Sequence, residues 1–382
     1  MESFLTWISL ILIPLIGMYA AYILFYYRGL TKLSNGTNLH QHTTTVIIPA
    51  RNEENNIHFC IEALLKQTYP SNLFTIVVID DQSTDNTAKV VNEFVIHHPE
   101  RIKLISIQER PKNISPKINA LKLGIEHSTS DLILTTDADC WTSENWISST
   151  VSFFEENVGV TTGLTVYADS KTISPLFRGM QYLDFISYTA IGAGGIGMNA
   201  LNTCNGSNMA FRRSAFESIG GFESLSHLNT GDDSLLAQKI VQTKKWDARF
   251  VQSPNSFVTT HAVSTWKEFF HQRMRWAGQT TEYPPLTLLF MINTFLLYLG
   301  LTVAVPLTLL TWNAIPWIVL GIKFFVDYLI MRKFTMLTHT QAAMRYFLPM
   351  AVIHIPVIVF SVFGGFFGQF RWKDQTMSRT AS

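Results

Sequence analysis

The chain has 382 residues, a formal charge of +1 and charged residues at only 15%, where an ordinary soluble domain carries about 25%. Without a dense basic stripe, that balance gives no footing for nucleic acid as a partner. The three cysteines, Cys60, Cys140 and Cys204, are too few and too dispersed for a disulfide framework or a thiolate metal cage.

The shortage of charge is confined to the two ends. Phe4 to Tyr27 contains no Lys, Arg, Asp or Glu, and roughly 20 such residues cross the hydrocarbon core of a bilayer. Glu2 precedes this segment and no small-x-small site follows it, which favours a retained anchor over a cleaved signal. Arg28 and Lys32 come directly after it, so the next domain is expected to face the cytoplasm.

Thr44 to Ile48 then reads as a buried strand ending at Pro49, with Asn52 placed to cap a helix starting near Glu53. Ile57, Cys60, Ile61 and Leu64 recur there at helical spacing. Thr75 to Ile79 is a second strand, ended by Asp80 and Asp81, and Ser83 or Asp85 is placed to cap the helix carrying Ala88, Val91 and Val95. Lys103 to Ile107 and Asp131 to Thr136 are the third and fourth strands, with a helix over Lys117 to Ile125 between them. Short apolar strands alternating with helices predict an α/β fold with a mostly parallel sheet. Ligands of such sheets collect beyond the C-terminal strand ends, where Pro49, Asp80 and Asp137 stand. No Gly-rich dinucleotide fingerprint or phosphate loop follows the first strand, which disfavours NAD chemistry and ordinary ATP hydrolysis.

The sharpest local feature is Asp137-Ala138-Asp139. Carboxylates two apart at a strand end can reach one hard cation, Mg²⁺ or Mn²⁺, and leave positions open for phosphate oxygens; as a bare pattern they equally suit a capped turn. Asp80 is placed to accept a hydrogen bond from a nucleoside, or to belong to the turn and helix cap that follow. Lys117 is either a solvated lysine or a ligand of donor phosphate or sugar. Asn205-Gly206-Ser207-Asn208 either turns the chain or holds a sugar.

Gly231-Asp232-Asp233 puts two carboxylates at a helix start, where the partial positive charge suits them. One of them is a cap or a general base. Trp266, Phe269, Phe270 and Arg273 lie at i, i+3, i+4 and i+7 on an amphipathic helix expected along the headgroup layer. Within it, Gln272-Arg273-Met274-Arg275-Trp276 offers Arg275 or Arg273 to a diphosphate and Trp276 as an apolar wall. Arg178 to Ala200 is a second interfacial element or a buried core helix.

Three further apolar segments close the chain: Leu286 to Thr311, Ile315 to Met331 and Tyr346 to Phe370. Lys323 and Asp327 interrupt the middle one four residues apart, where they can neutralise each other. The expected total is about four spans. Arg332, Lys333 and Arg345 agree with the anchor's orientation, whereas the tail residues Arg371, Lys373 and Arg379 oppose it unless the last segment is re-entrant.

Taken in order, Pro49-Ala50-Arg51-Asn52-Glu53, Asp80-Asp81, Asp137-Ala138-Asp139, Gly231-Asp232-Asp233 and Gln272 to Trp276 resemble the membrane-bound branch of glycosyltransferase family 2. That branch includes ceramide and carotenoid glycosyltransferases and the synthases of cellulose, chitin and hyaluronan. The resemblance implies a GT-A-type domain that binds a nucleotide-sugar co-substrate, UDP-linked, with Mn²⁺ or Mg²⁺. It implies that Pro49, Glu53 and Asp80 line the nucleoside site, that Asp139 ligates the metal directly and that Asp137 supports the diphosphate. Asp233 matches the general base, although the family more often has Glu or Thr-Glu before it, and the Gln272 to Trp276 segment closes over donor and acceptor.

The resulting layout is an anchor at 1–27, a cytoplasmic GT-A-type domain at 28–260, an interfacial helix at 261–284, a C-terminal membrane region at 285–370 and a polar tail at 371–382. The expected function is inverting sugar transfer to a lipid or membrane-associated hydroxyl at the inner or plasma membrane, with processive polysaccharide synthesis as the alternative. Expected partners are the bilayer, a UDP-sugar and a lipid or saccharide acceptor. A homo-oligomer or a membrane partner is compatible with few spans.

Overall fold

The computed structural model describes residues 2–109, 111, 114–225, 232–277, 283–308, 313–367, 370–372 and 375–377. Helix α1 spans Glu2–Leu30. After it, β1 (Thr44–Ala50), α2 (Ile57–Leu65), β2 (Phe74–Asp80), α3 (Thr87–His97), β3 (Ile102–Ser106), α4 (Pro116–Glu126) and β4 (Leu132–Thr135) alternate as the sequence predicts. Next come β5 (Trp141–Thr142), α5 (Trp146–Val151), β6 (Val158–Gly163), β7 (Thr165–Tyr167) and the long α6 (Pro175–Gly197). They are followed by β8 (Met209–Arg212), α7 (Arg213–Glu217), α8 (Asp232–Gln242), β9 (Asp247–Val251) and β10 (Val258–Thr260). The chain continues through α9 (Trp266–Ala277), α10 (Pro285–Leu307), α11 (Ile315–Leu337) and α12 (Phe347–Phe367), and β11 (Phe370–Trp372) pairs with β12 (Gln375–Met377).

Two compact units result. The α/β unit comprises Leu33–Lys171, Thr203–Ala262 and Arg371–Ser382; the helical unit comprises Met1–Lys32, Thr172–Asn202 and Val263–Phe370. In the α/β unit a seven-stranded sheet has the order β3-β2-β1-β4-β8-β6-β9. β1 to β4 are parallel, β8 runs antiparallel to both β4 and β6, and β9 is parallel to β6. Val46, Ile47 and Ile48 of β1 are fully buried, as are Ile57, Cys60, Ile61 and Leu64 of α2. Each such aliphatic side chain contributes about 1.5–3 kcal/mol by leaving water.

The first predicted helix begins later than expected. Asn52 does not cap it; Asn52 adopts φ 51° and its side-chain oxygen accepts from the Thr84 backbone, while the helix starts after Asn56. The Glu53 amide is drawn away from a helix by the Thr87 hydroxyl at 2.7 Å. A contact made across the sequence has overridden a local capping preference.

In the helical unit, residues 172–202 pack with α1, although the sequence places them inside the catalytic domain. Met180, Leu183, Ile186, Ala190 and Ala193 of α6 are buried, so α6 is a core helix of this unit. Gly194 and Gly197 serve the α1–α6 crossing, since a Cβ on Gly194 would stand 2.5 Å from the Tyr26 carbonyl. Small residues at such a crossing let two backbones meet.

The expectation of four membrane spans is corrected to three. Among the described residues, Leu5–Leu30, Pro285–Leu307 and Gln341–Gly365 are helices long and apolar enough to cross a bilayer. α11 is also 23 residues long but carries Lys323, Asp327, Arg332 and Lys333. The expected pairing is present: Lys323 Nζ lies 2.9 Å from Asp327, which also accepts from the Tyr19 hydroxyl at 2.7 Å. Ionised groups are costly in hydrocarbon even when paired, which sets α11 apart from the three apolar helices. Of the tail's basic residues, Arg371 sits in β11, while Lys373 and Arg379 lie outside the described residues.

Candidate active site

The parallel register puts several acids along one sheet edge. Ala50 pairs with Asp80 and Ile47 pairs with Thr135, so the C-terminal ends of β2 and β4 flank that of β1. The loops leaving β1 and β2 are laced together. Ser83 accepts from the Asn52 amide at 3.0 Å, Asp85 from the Glu54 amide at 3.1 Å, and Glu54 from the Asn86 amide at 2.9 Å. Gln82 joins Asn52 in the left-handed region at φ 58°. Such backbone is held by its surroundings and is common where loops shape a ligand site.

Within the Asp80-Asp81 pair the two carboxylates differ. Arg51 donates to the Asp81 backbone oxygen at 3.0 Å and stands 3.8 Å from its carboxylate. Asp80, buried at the strand end, accepts from the Ser83 amide at 3.2 Å. Glu53 is also buried and accepts from Asn56 at 2.7 Å. Pro49 occupies the penultimate position of β1, opposite Ile79.

The turn after β4 holds the expected acidic pair. Ligand atoms of Asp137, Asp139 and Cys140 all lie within 4.8 Å of one another. Burial pushes the Cys140 thiol well up, and the charges of Asp139 and Asp137 push it further. The thiol donates to Asp139 Oδ1 at 3.6 Å. Two convergent carboxylates fit a hard divalent cation such as Mg²⁺ or Mn²⁺. Cys60, also raised by burial first and then by Asp139, Asp137 and Glu53, lies beneath the same acids and donates to the Asp137 carbonyl at 3.8 Å.

A second cluster adjoins this turn. Thr135, two residues before Asp137, donates to the Gly206 carbonyl at 2.8 Å, because antiparallel β8 brings its own entry turn to the end of β4. Asp233 stands in the first turn of α8, where its Oδ1 accepts from the Ser234 amide at 2.8 Å. Ser234 in turn accepts from the Cys204 amide at 3.0 Å, tying the helix start to the same turn. Lys117 lies in the first turn of α4, which Ser115 caps by accepting from the Ile118 amide. Asp233 and Lys117 meet over Gly206. A Cβ there would press on Asp233 Oδ2, lie 2.9 Å from Lys117 Nζ and 3.1 Å from Asp233 Cγ.

Gly206 is thus the floor beneath an Asp–Lys pair, a role its sequence position in a polar turn barely signals. For Gly206→Ala we expect a nearly unchanged melting temperature, since both obstructing groups are ends of flexible side chains. Displacing them by about 1 Å costs on the order of a hundredfold in turnover if they act on substrate. Parallel melting and turnover measurements check this, and wild-type turnover would remove Gly206 from the site.

His261 was not singled out from the sequence. It follows Thr260, whose hydroxyl lies 3.5 Å from the Asp139 carbonyl, and its ring is 5.0 Å from that of Trp141. No spacing rule connects it to the acidic turn; the three-stranded sheet β5-β10-β7 does.

Gln272, Arg273, Arg275 and Trp276 belong to α9 of the helical unit. Arg273, expected as one of two candidates for a diphosphate, is only 1% exposed and its Nε donates to Asp184 Oδ2. Its charge is matched inside the unit by Asp184, and Arg275 is the other candidate cation of this segment. Gly231 lies outside the described residues, and of Asp232 only the backbone, in the first turn of α8, is described.

The sequence profile of Glycosyl transferase family 21 matches residues 9–379. The chain belongs to that family. The motifs resemble family 2, but the matching profile is that of family 21; both readings agree on a membrane-associated glycosyltransferase. Among curated proteins, this family 21 chain is 30% identical over 241 residues to the probable glycosyltransferase YdaM of Bacillus subtilis (strain 168), covering 61% of this chain and 54% of that protein.

It is 25% identical over 237 residues to a beta-monoglucosyldiacylglycerol synthase of Nostoc sp. (strain PCC 7120 / SAG 25.82 / UTEX 2576), covering 61% and 48% of the two chains. It is 23% identical over 236 residues to a poly-beta-1,6-N-acetyl-D-glucosamine synthase of Staphylococcus epidermidis, covering 60% and 53%. The family 21 chain thus spans about half the length of the curated relatives it matches. Its fold is shared with the mannosyltransferase PcManGT from Pyrobaculum calidifontis, solved with GDP-Man and Mn2+. The TM-score is 0.60 at 19% identity, covering 91% of this chain and 99% of that one. The topology is GT-A-like.

Proposed function

We propose that this family 21 chain transfers one sugar, with inversion, from a nucleotide-diphosphate sugar to the hydroxyl of a membrane lipid. The observation that carries this reading is the meeting of Asp233 and Lys117 over Gly206, adjoining the Asp137-Asp139 turn through the Thr135–Gly206 hydrogen bond. A base and a cation site stand side by side at one sheet edge.

In this reading Asp80 accepts a hydrogen bond from base or ribose, and Pro49 and Glu53 complete the nucleoside site. Asp139 ligates the cation and Asp137 supports the diphosphate. Bound there, Mg²⁺ or Mn²⁺ supplies positive charge against the leaving diphosphate. Asp233 takes the proton of the acceptor hydroxyl as that oxygen bonds to the anomeric carbon from the face opposite the nucleotide. The anomeric C–O bond breaks, the nucleoside diphosphate leaves with its electron pair, and one displacement gives one inversion. Lys117 holds positive charge beside the base, and Gln272, Arg275 and Trp276 serve donor and acceptor.

Three apolar helices and a relative named as a diacylglycerol glycolipid synthase support a lipid acceptor. Arg28 and Lys32, directly after the first span, support a cytoplasmic catalytic unit. A relative named as a polysaccharide synthase keeps chain extension as the second reading. UDP is the expected nucleotide, and the GDP-Man complex of the fold relative makes GDP the comparison to run.

The test uses the detergent-purified chain with labelled UDP- and GDP-sugars, extracted membrane lipids and mass analysis of the products. A discrete lipid bearing one added sugar is expected. A ladder of long saccharides would move the conclusion to the synthase, and no label transferred from any donor would end both readings.

A further inference from the structure

Helix α9 packs mainly on α12, and side chains from one face of α6 reach it and the segment that precedes it. Gln181, Asp184, Phe185 and Tyr188 lie at i, i+3, i+4 and i+7, so they form a single stripe. Gln181 binds the chain entering α9 from both sides: its Nε2 donates to the Val263 carbonyl at 3.0 Å and its Oε1 accepts from the Val263 amide at 3.1 Å. One turn on, Asp184 accepts from Arg273 Nε. Phe185, next to Asp184, and Tyr188, one turn further, meet the Trp276 ring, with centroids 5.9 and 5.8 Å away.

Arg273 is fixed from every side that the structure describes. Its guanidinium lies 4.3 Å from the Phe269 ring centroid and 4.2 Å from that of Trp276, and its Nη1 donates to Gln272 Oε1 at 2.5 Å. The other Asp184 oxygen lies 3.5 Å from His354 Nε2 on α12, and Met274 packs on Gly364 of the same helix. One buried carboxylate therefore binds α9 to α6 and stands beside His354 of α12.

Residues two apart on a helix point about 200° away from each other. Seating Arg273 on Asp184 consequently sends Arg275 to the opposite face of α9. We infer that Asp184 is the positioning residue of the Gln272–Trp276 segment: by seating Arg273 it sets the rotation of α9 and with it the face from which Arg275 projects. This deepens the transferase reading and rests on it for the role of Arg275; the rotational claim itself does not.

A buried pair also contributes to folding, and the test separates the two roles. Asp184→Asn leaves Arg273 buried beside a neutral amide, and the melting temperature falls. Replacing both partners with apolar residues, Asp184→Leu with Arg273→Met, restores the melting temperature, because a buried ion pair exchanges for packed side chains at little cost. If Asp184 positions the segment, donor KM stays raised by about tenfold or more in both variants, since a misplaced binding group is not repaired by stability. Recovery of wild-type KM in the double variant would leave the pair a structural role alone.

Thiol labelling reads the rotation without any assay of transfer. Arg275→Cys is labelled with a maleimide, over the background of native thiols, with Asp184 intact and with Asp184→Asn. A change in labelling rate of about threefold or more is expected, reflecting a reoriented helix of the kind that a lost buried pair permits. An unchanged rate overturns the inference whether or not the chain transfers sugar. A changed rate from a chain that transfers no sugar supports the positioning role and removes the function proposed for Arg275.

Discussion

Asp233→Asn is expected to lower turnover by about 10²–10⁴-fold, the range over which a positioned general base contributes, while the donor still binds. The amide matches the carboxylate in size, so it can keep the bond from the Ser234 amide and the space above Gly206. What it loses is the capacity to take a proton. Turnover and donor titration on the same preparation separate the two effects. Wild-type turnover by this variant would remove Asp233 from the base role. Asp232→Asn is the comparison that separates the two adjacent carboxylates: loss of turnover there, with wild-type turnover for Asp233→Asn, would move the base to Asp232.

Asp139→Ala is expected to act on the other half of the site. Its carboxylate converges with that of Asp137 in the turn after β4. Losing a direct ligand should weaken metal-dependent donor binding by at least about a hundredfold, the upper end for groups that merely support ligands. Titrating the donor with Mn²⁺, with Mg²⁺ and with a chelator gives the comparison. The wild type should bind in the metals and weakly in chelator, whereas the variant should bind weakly in all three. Equal donor affinity of the wild type with and without metal would detach the acidic turn from the cation. Because a hard cation takes oxygen ligands and the two aspartates supply them, Cys140→Ser should leave metal preference unchanged, which separates the carboxylates from their neighbour.

Similarity alone does not choose the acceptor. A glycolipid synthase and a polysaccharide synthase resemble this chain at 25% and 23% identity over nearly the same length. Their likeness covers about three-fifths of this chain in each case, so the two names weigh equally and product analysis decides.

Much of the α/β unit is legible in the sequence because its signals are local. An apolar β-branched run ending in Pro49, Asp80 or Asp137 states a buried strand and its last residue within a few positions. Parallel pairing then forces those ends to one edge, so the acidic residues could be grouped before any coordinate was known. Charge-free segments of sufficient length likewise identify the apolar spans, since crossing a bilayer depends on composition and length.

Tertiary structure alone decided what depends on partners distant in sequence. Asn52 loses its capping role because Thr84 and Thr87 compete for the same loop. Arg273 and Arg275 are indistinguishable in sequence, yet 89 residues separate Arg273 from the carboxylate that claims it. The glycine under Asp233 and Lys117 gains its role only when β8 folds antiparallel against β4 and carries the preceding turn with it. Local pattern determines which segments become strands and helices; which charge is buried and which glycine must stay bare follow from packing, where the partner is set by topology and not by spacing.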